Sequence, residues 1–350
     1  MATNSNMSFP SPMAHVPIHS HEQELAPVRQ KGDAHYIHTK DEMKDPRSTM
    51  RKVAAFFQAL GREILYALSV LRHRRITPEI NAAMAKQGKA LYDNCEVDKA
   101  WQEKSCGLHV FIHGLKAHPS IWDGHIAEEK KINASRTDQE PIETYVPFVP
   151  KAGDCTLKEA GDPILKQVKS YIDHYRKKHP DGPVCPICLS GVSNGGRIAT
   201  YIETQLRKDE KYSDVPVMVS TIAAVHYGTE AFDAWYSRFG GKQSAVIREE
   251  LSFGSDTAKS LLDEVNAVPA DFDVSKRKFL FFGTRDDWHV THVGSTIPKI
   301  NKVFKREAVI LEGFMHSGVV KGARKKHLAD AHAWLNLSRL PMPNRVKPEI

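Results

Sequence analysis

The sequence lacks a long apolar run and a leader of the usual kind. No window of its 350 residues has the 18 or more consecutive apolar residues of a membrane-spanning helix, and the first 30 lack a basic stretch followed by an apolar one. We therefore expect a cytoplasmic protein, with export by a route that needs no signal peptide left open. Because 41% of the residues are hydrophobic and 26% charged, the chain can bury a sizeable core.

Cysteine is scarce as well. The five cysteines are too few and too dispersed for a disulfide framework, and an odd number leaves one unpaired, which fits a reducing compartment. Cys185 and Cys188 form a CxxC, but residues three apart in an extended segment point to opposite faces. This spacing disfavours redox or zinc chemistry there, and we predict no metal and no cofactor.

The positive charge is unevenly placed. The formal net charge is +7, and residues 320–350 hold seven Lys/Arg against two acids, a local excess of five. The sequence has neither the interleaved aromatic residues of an RNA-stacking module nor zinc-finger spacing. We therefore predict no nucleic-acid partner.

Composition divides the chain into four parts. Residues 1–45 are rich in Ser, Pro, His and charge and predict a disordered tail, and residues 46–104 predict a helical extension. An α/β domain is expected over 105–338, with a cap or lid at about 231–272, followed by a C-terminal tail over 339–350.

The extension begins with an amphipathic helix. Apolar residues recur at steps of three or four between Val53 and Leu71, which predicts a helix over 48–75. Two interpretations stay open: the apolar stripe packs on the main domain, or Phe56 and Phe57 with flanking Arg/Lys make peripheral contact with a membrane surface. A second helix is predicted over 77–92, where Thr77 can cap and Pro78 suits the first helical position.

The main domain alternates between apolar strands and helices. Strands are predicted over 107–115, 142–150, 184–191, 215–228, 278–283 and 307–313. Helices are predicted over 163–178, after 196, around 295–305 and over 325–335. This alternation predicts a mostly parallel sheet covered by helices on both faces, in which reactive groups gather where the strands end.

Ser193 is the candidate nucleophile. It lies in Gly191-Val192-Ser193-Asn194-Gly195, a G-x-S-x-G sequence that follows an apolar strand and precedes a helix. The glycines let the backbone turn sharply so that the hydroxyl stands clear of the sheet. Pro186 cannot donate a ladder hydrogen bond, so the strand must begin after it or be bulged there.

A serine hydroxyl needs a base, and the base needs an orienting acid. His316 follows the last strand and precedes the last helix, which is where a base can reach the sharp turn at Ser193, the elbow. For the acid we favour Asp286, which keeps a G-x-x-D spacing from Gly283, with Asp287 as the alternative. An acid after the 215–228 strand also stays open, and the candidates there are Glu230 and Asp233.

In acyl transfer the tetrahedral intermediate carries a negatively charged oxygen, the oxyanion, which two backbone N–H groups should stabilise. Removal of either donor raises the barrier by roughly 3–4 kcal/mol. Asn194 supplies one because it follows the nucleophile, and Leu115, in the loop after the first strand, supplies the other. We expect His113 to brace that loop and not to act as the base.

These motifs together resemble the α/β-hydrolase superfamily of serine esterases and lipases, over about residues 105–337. The residues that carry the resemblance are HGL at 113–115, GVSNGG at 191–196, GTRD at 283–286 and the histidine at 316. The segment AAVHYGTEAF at 223–232 is similar to one found after the sixth strand in many lipases. The resemblance implies an α/β-hydrolase fold and hydrolysis of carboxylic esters, with lipid or acyl esters as substrates.

A substrate pocket is expected next to the triad. The candidates to line it are His226 and, from the expected lid, Phe232, Trp235 and Tyr236, although these aromatics can equally form the small core of the lid. Two alternatives to ester hydrolysis stay open. One is an acyltransferase or thioesterase on the same triad, and the other is a catalytically silent hydrolase fold that binds a membrane or a protein.

Overall fold

A parallel sheet of six strands forms the centre of the molecule. The computed structural model describes residues 45–76, 101–102, 105–115, 117, 119–136, 140–180, 182–229, 245–287, 289–292, 294–295, 300–301 and 303–337. The strands are β1 (Leu108–Ile112), β2 (Glu143–Tyr145), β3 (Ile187–Val192), β4 (Val217–Ile222), β5 (Arg277–Thr284) and β6 (Lys305–Leu311). Their order is β2-β1-β3-β4-β5-β6, and each neighbouring pair is parallel. The predicted parallel sheet is confirmed.

Helices cover both faces of this sheet. They are α1 (Thr49–Ile76), α2 (Asp123–Ala134), α3 (Leu157–Lys178), α4 (Asn194–Lys208), α5 (Ala245–Leu251), α6 (Asp256–Asn266) and α7 (Val319–Leu337), with short 3₁₀ helices at Pro119–Trp122, Pro150–Gly153 and Val274–Lys276. One apolar core joins α3, α4 and α6 to one face, and a second joins α2 and α7 to the other. Every residue of β3 and β4 is buried, which explains their continuous apolar sequences.

The start of β3 agrees with the constraint that Pro186 imposes. The strand begins at Ile187, whose N–H donates to the Pro216 carbonyl (2.8 Å), while the Pro186 carbonyl accepts from the Leu108 N–H (3.1 Å). Cys185 and Cys188 are buried, form no disulfide and belong to the cores on opposite faces of the sheet. Their side chains thus lie on opposite faces, as the spacing predicts.

Helix boundaries differ from the prediction in three places, one of which is α7, which begins at Val319 instead of 325. Helix α3 begins at Leu157 instead of 163, because Thr156 and Glu159 form a capping box in which each accepts the other's backbone N–H (2.9 and 3.1 Å). The helix predicted around 295–305 is wrong for the described residues there, which lie in turns and bends before β6 begins at Lys305. Asn301 explains this in part, because its side chain accepts from the Val303 N–H (3.3 Å), a turn that competes with helix.

Several expectations lie outside the described residues. They are the tail over 1–44, the helix over 77–92, the C-terminal tail, and the first part of the expected lid, 230–244. The described part of the region expected to be a lid contains α5 and α6, of which α6 packs in the core on one face of the sheet.

Helix α1 confirms the amphipathic helix predicted over 48–75 but packs through a different face from the apolar stripe. Ala55 and Ala59 are buried, whereas Met50, Val53, Phe57 and Ile64 are 80%, 47%, 64% and 52% exposed. For these residues the expectation that the stripe packs on the main domain is wrong, because small residues, and not the stripe, allow the close approach. Within the described part of the chain, no helix has a stretch long and apolar enough to cross a membrane.

A buried polar network lies between the sheet and helices α2 and α7. His109 contacts Glu129 through Nδ1 (2.5 Å) and Ser190 through Nε2 (2.7 Å), and Ser190 Oγ lies 2.8 Å from His327 Nε2. Burial disfavours charge on His109 and Glu129, but their mutual attraction outweighs it, so the pKa of His109 is raised and that of Glu129 lowered. The pair is an ion pair inside the core.

Neutral histidines surround this ion pair. Burial lowers the pKa of His125 to about 3, and burial with the nearby His125 and His109 lowers the pKa of His327 well below its usual value. Both ring nitrogens of His125 are buried without a hydrogen-bond partner, and the ring packs against Trp122 with centroids 4.9 Å apart. His125 therefore behaves as an apolar ring at neutral pH.

Acid should destabilise the fold through these neutral rings. An unfolded histidine titrates near pH 6.5, so between pH 6.5 and 3 the unfolded chain binds a proton that folded His125 does not, and the free energy of unfolding falls as pH falls. Lowering the pH from 7.5 to 5.0 should cost roughly 2 kcal/mol for this one ring. We predict that His125→Phe folds and loses about that much of the pH dependence in urea unfolding. An unchanged pH dependence would contradict the assignment.

Candidate active site

Ser193 occupies the sharp turn between β3 and α4. Its φ of 54° and ψ of −124° are strained for a residue with a side chain. Two hydrogen bonds hold this backbone: the Ser193 N–H donates to the Ile222 carbonyl, and the Gly196 N–H donates to the Ser193 carbonyl, both at 3.0 Å. This is the strand–serine–helix geometry that G-x-S-x-G predicts, in which the hydroxyl is lifted away from the sheet.

Close backbone packing explains two of the glycines around Ser193. A Cβ on Gly191 would collide with the Gly195 carbonyl, and a Cβ on Gly195 would collide with the carbonyls of Ile112 and His113. The elbow therefore presses directly against the end of β1. A larger side chain at either position would force the nucleophile turn away from the neighbouring strand.

The loop after β1 lies beside the serine. A Cβ on Gly114 would lie 2.9 Å from Ser193 Cβ and 3.5 Å from Ser193 Oγ. Leu115 and Asn194 both lie next to Gly153. A Cβ added to Gly153 would be 3.4 Å from Leu115 Cα and 3.4 Å from Asn194 Nδ2. The two residues predicted to supply oxyanion donors are thus close together at the site.

His113 braces this loop, as predicted. Its Nε2 accepts a hydrogen bond from the Val149 N–H (3.0 Å), so the proton of the neutral ring is on Nδ1, which donates to the Gly114 carbonyl (2.9 Å). The ring is completely buried and ties the β1 loop to the segment after β2. Neither nitrogen is placed to act as a general base.

His316 lies between β6 and α7 and contacts Asp287. Its Nδ1 donates to Asp287 Oδ2 (2.7 Å), while Asp287 Oδ1 accepts from the backbone N–H groups of His289 (2.8 Å) and Val290 (3.2 Å). The Asp287 side chain is 1% exposed. Burial alone would raise the pKa of this carboxyl, but His316 and His289 outweigh burial and hold the pKa below its usual range.

This contact fixes the chemistry of the imidazole. Because the ionised Asp287 can only accept, the His316 proton is on Nδ1, and Nε2 of the neutral ring carries none. Nε2 is therefore the basic nitrogen, and Asp287 stabilises the ring when it becomes protonated. A carboxylate in this position is what general-base catalysis by histidine requires.

Asp286, the acid favoured from the sequence, is not the partner of His316. Arg47 Nη1 donates to both Asp286 oxygens (2.9 and 3.2 Å), and the Gly313 N–H donates to Oδ2 (2.6 Å). The alternative, Asp287, has the position instead. The G-x-x-D spacing could not decide which aspartate contacts His316, because adjacent residues in a turn point in different directions. The partner that holds Asp286, Arg47, is 239 positions away in the chain.

His226 is completely buried beneath the site. Its Nε2 is 3.4 Å from Thr221 Oγ1, its Nδ1 is buried without a hydrogen-bond partner, and its ring meets Phe281 edge-on. Burial, and to a smaller extent Arg197, lowers its pKa to about 3. It does not line a pocket open to solvent. Phe232, Trp235 and Tyr236 lie outside the described residues.

A small apolar cluster adjoins the loop after β1. Leu115 packs against a group formed by Val225, Ile247, Leu251 and Val290. Ile247 and Leu251 come from α5, so this helix of the expected lid region lies next to the site. Sequence reasoning missed these two residues, although Ile247 and Leu251 recur at the four-residue step of a helix face.

Asp287 and His316 also belong to the one group of three potential metal ligands among the described residues. Ligand atoms of Asp287, His289 and His316 lie within 4.8 Å of one another. His316 Nδ1 already donates to Asp287, however, and the other Asp287 oxygen is occupied by two backbone N–H groups. The arrangement fits an acid–base pair better than a metal centre.

Three solved structures illustrate what the chain is similar to. Phospholipase PlaB from Legionella pneumophila is 16% identical, with 54% of this chain and 44% of that chain covered and a TM-score of 0.39. Lipase BlEst2 from Bacillus licheniformis is 16% identical, with 70% and 96% covered and a TM-score of 0.41. The hyperthermophilic esterase from the archaeon Pyrobaculum calidifontis is 14% identical, with 80% and 98% covered and a TM-score of 0.46.

The chain spans less than half the length of the Legionella phospholipase. No protein-family model matches the chain, and no curated protein sequence does either. These likenesses are distant, and the class of fold follows from the chain's own sheet order and strand–serine–helix turn. The fold is the α/β-hydrolase fold.

The close packing at the elbow leads to a stability prediction. Gly191→Ala should lower the free energy of unfolding by about 3 kcal/mol or more, because the added Cβ meets the Gly195 backbone, which cannot move without shifting β3 or α4. Gly61→Ala is the matched control: nothing lies within 4 Å of its Cβ and it is inside α1, so it should stabilise by about 0.5–1 kcal/mol. Urea unfolding followed by circular dichroism measures both. Equal stabilities would contradict the packing described.

Proposed function

We propose that this protein is a serine hydrolase that cleaves carboxylic esters through Ser193, His316 and Asp287. The observation that carries the proposal is the 2.7 Å contact between His316 Nδ1 and the buried Asp287 carboxylate at the sheet edge where Ser193 takes its strained backbone conformation. A nucleophile, an oriented base and a buried acid in this chain order are the parts that acyl transfer requires.

The reaction follows from the roles of these groups. Ser193 Oγ attacks the ester carbonyl carbon while His316 Nε2 takes the hydroxyl proton, and the backbone N–H groups of Leu115 and Asn194 hold the oxyanion. The C–O bond to the alcohol breaks as His316 returns the proton to the leaving alkoxide. Water then attacks the acyl-enzyme, His316 again moves the proton, and a carboxylic acid and free Ser193 result.

The apolar cluster beside the loop after β1 supports an acyl or lipid ester as the substrate. Leu115 is in contact with the substrate carbonyl in the proposed mechanism, and its side chain packs against Val225 and Val290 and against residues of α5. An acyl chain that leaves the carbonyl on this side meets aliphatic side chains, which favours apolar acyl groups over polar ones.

The exposed face of α1 supports contact with a lipid surface as part of the same function. Met50, Val53, Phe57 and Ile64 lie within about 60° of one another around the helix axis. A contiguous apolar stripe on a surface helix is typical of residues that enter a lipid interface or bind a partner. This stripe is also the feature that favours the second candidate, a hydrolase fold that acts only by binding a membrane.

The proposed triad can be tested with single isosteric substitutions. A fluorophosphonate should label the unaltered protein but not Ser193→Ala. Asp287→Asn should lower kcat for p-nitrophenyl butanoate by about 10³–10⁴-fold, because an asparagine stabilises neither the required tautomer nor the protonated ring. Asp286→Asn is the comparison variant and should lose at most about a hundredfold, because Asp286 contacts Arg47 and the Gly313 N–H and not His316. Labelling of Ser193→Ala, or a larger loss in Asp286→Asn than in Asp287→Asn, would remove the proposed triad.

Contact with lipid can be separated from catalysis. Phe57→Ser should reduce sedimentation with phospholipid vesicles and slow the hydrolysis of a long-chain ester presented in them, while leaving turnover of soluble p-nitrophenyl butanoate unchanged. Val303→Ser is a control with a comparable exposure of 51% on another part of the surface. Vesicle binding and long-chain turnover that are the same in Phe57→Ser as in the unaltered protein would exclude a role for the stripe.

A further inference from the structure

The N-terminal segment reaches the site through Arg47. Its guanidinium Nη1 donates to both oxygens of Asp286, and the two side chains are only 5% and 7% exposed. The remaining donors are held by Asp45, which accepts from Nε (3.0 Å) and Nη2 (2.8 Å). Arg47 is therefore locked between two carboxylates, one of which is the neighbour in sequence of the proposed catalytic acid.

Asp286 links the loop that carries the acid to the loop that carries the base. Its Oδ2 accepts the Gly313 N–H, and Gly313 lies three residues before His316. Thr284, two residues before Asp286, strengthens the same link, because its Oγ1 donates to the Phe314 carbonyl (2.9 Å). The separation between Asp287 and His316 thus depends on a crosslink whose charge Arg47 neutralises.

Helix α1 also contacts the loop that carries His316, here called the base loop. Arg62 Nη1 donates to the Gly313 carbonyl (2.5 Å), and the Arg62 guanidinium stacks 4.1 Å from the centre of the Phe314 ring. The third contact is weaker: Arg51 pairs with Glu312 at 2.9 Å, but the Arg51 side chain is 51% exposed, so water screens the pair. The Gly313 N–H is thus bonded to Asp286, and the Gly313 carbonyl is bonded to Arg62 of α1.

Burial makes the Arg47 contact different from ordinary surface docking. Removal of one partner from a buried ion pair leaves an uncompensated charge, and the surrounding structure moves to hydrate it. Here the uncompensated group would be Asp286, and the groups free to move are the two loops that set the Asp287–His316 contact. A displacement of about 1 Å in catalytic groups can lower turnover by about a hundredfold.

We propose that Arg47 is a positioning residue for the hydrolase, acting through Asp286 to fix the acid and base loops at their working separation, with Arg62 supporting the base loop from α1. This rests on the proposed function. The site is then incomplete without Arg47 and Arg62, although neither belongs to the proposed triad.

The test compares full-length variants per active site. Active sites are counted by fluorophosphonate titration, kcat and KM are measured with p-nitrophenyl butanoate, and amide hydrogen exchange is followed over residues 311–318. Arg47→Met should lower kcat about ten- to hundredfold with KM within about twofold, and should speed exchange at Gly313. Arg47→Lys should recover part of kcat because it restores the charge but not the two-sided contact. Arg51→Met, on the exposed pair, should match the unaltered protein.

Arg62→Met keeps the inference falsifiable if Arg47→Met does not fold. It should lower kcat at least threefold with KM unchanged, since it removes a contact to the base loop without exposing a buried charge. Unaltered kcat per active site in both Arg47→Lys and Arg62→Met, with normal exchange at Gly313, would overturn the inference and leave the proposed function standing. No labelling of the unaltered protein at Ser193 would remove the proposed function and this inference together.

Discussion

The parallel arrangement of the strands is the constraint on which the site depends. When all six strands run in the same direction, their carboxyl ends lie along one edge, and the segments that follow β1, β3, β5 and β6 emerge there together. Leu115, Ser193, Asp287 and His316 each come from one of these segments. Parallel strands need long crossovers, so groups that meet at the edge are far apart in sequence. The helices on both faces exclude water from the sheet and hold the strand ends in place relative to one another.

A second set of the same residue types shows why geometry and access decide the assignment. Ser190, His109 and Glu129 are in contact in the order serine, histidine, carboxylate, and Ser190 lies on β3, three residues before Ser193. All three are completely buried, and the Ser190 hydroxyl is in contact with His327 on its other side. The hydroxyl lies within the strand, on the α2 and α7 face, and not on a turn. This trio fills a core position, whereas Ser193, at the turn after the strand, is partly exposed.

The local features of the site could be predicted from the sequence, because each depends on residues close together in the chain. The elbow around Ser193 and the late start of β3 after Pro186 follow from strand patterns and short-range sterics. The choice between Asp286 and Asp287 depends on contacts with Arg47 and Gly313. The buried network of His109 likewise joins α2, β3 and α7. No spacing rule describes such long-range contacts, so they become visible only in three dimensions.

The two faces of helix α1 have different surroundings. Arg62 and the buried Ala55 and Ala59 lie on the side that meets the main domain, about half a turn around the axis from the exposed stripe that includes Phe57. One face is thus bound to the loop that carries the proposed base, and the other offers apolar surface to the solvent. If the stripe enters a lipid surface, the helix stays connected through Arg62 to the loop that carries His316 and, at its N-terminal end, through Arg47 to the loop that carries Asp287. The orientation of the site relative to the lipid is then determined by the same contacts that hold the acid and base together, which couples substrate presentation to the geometry of catalysis.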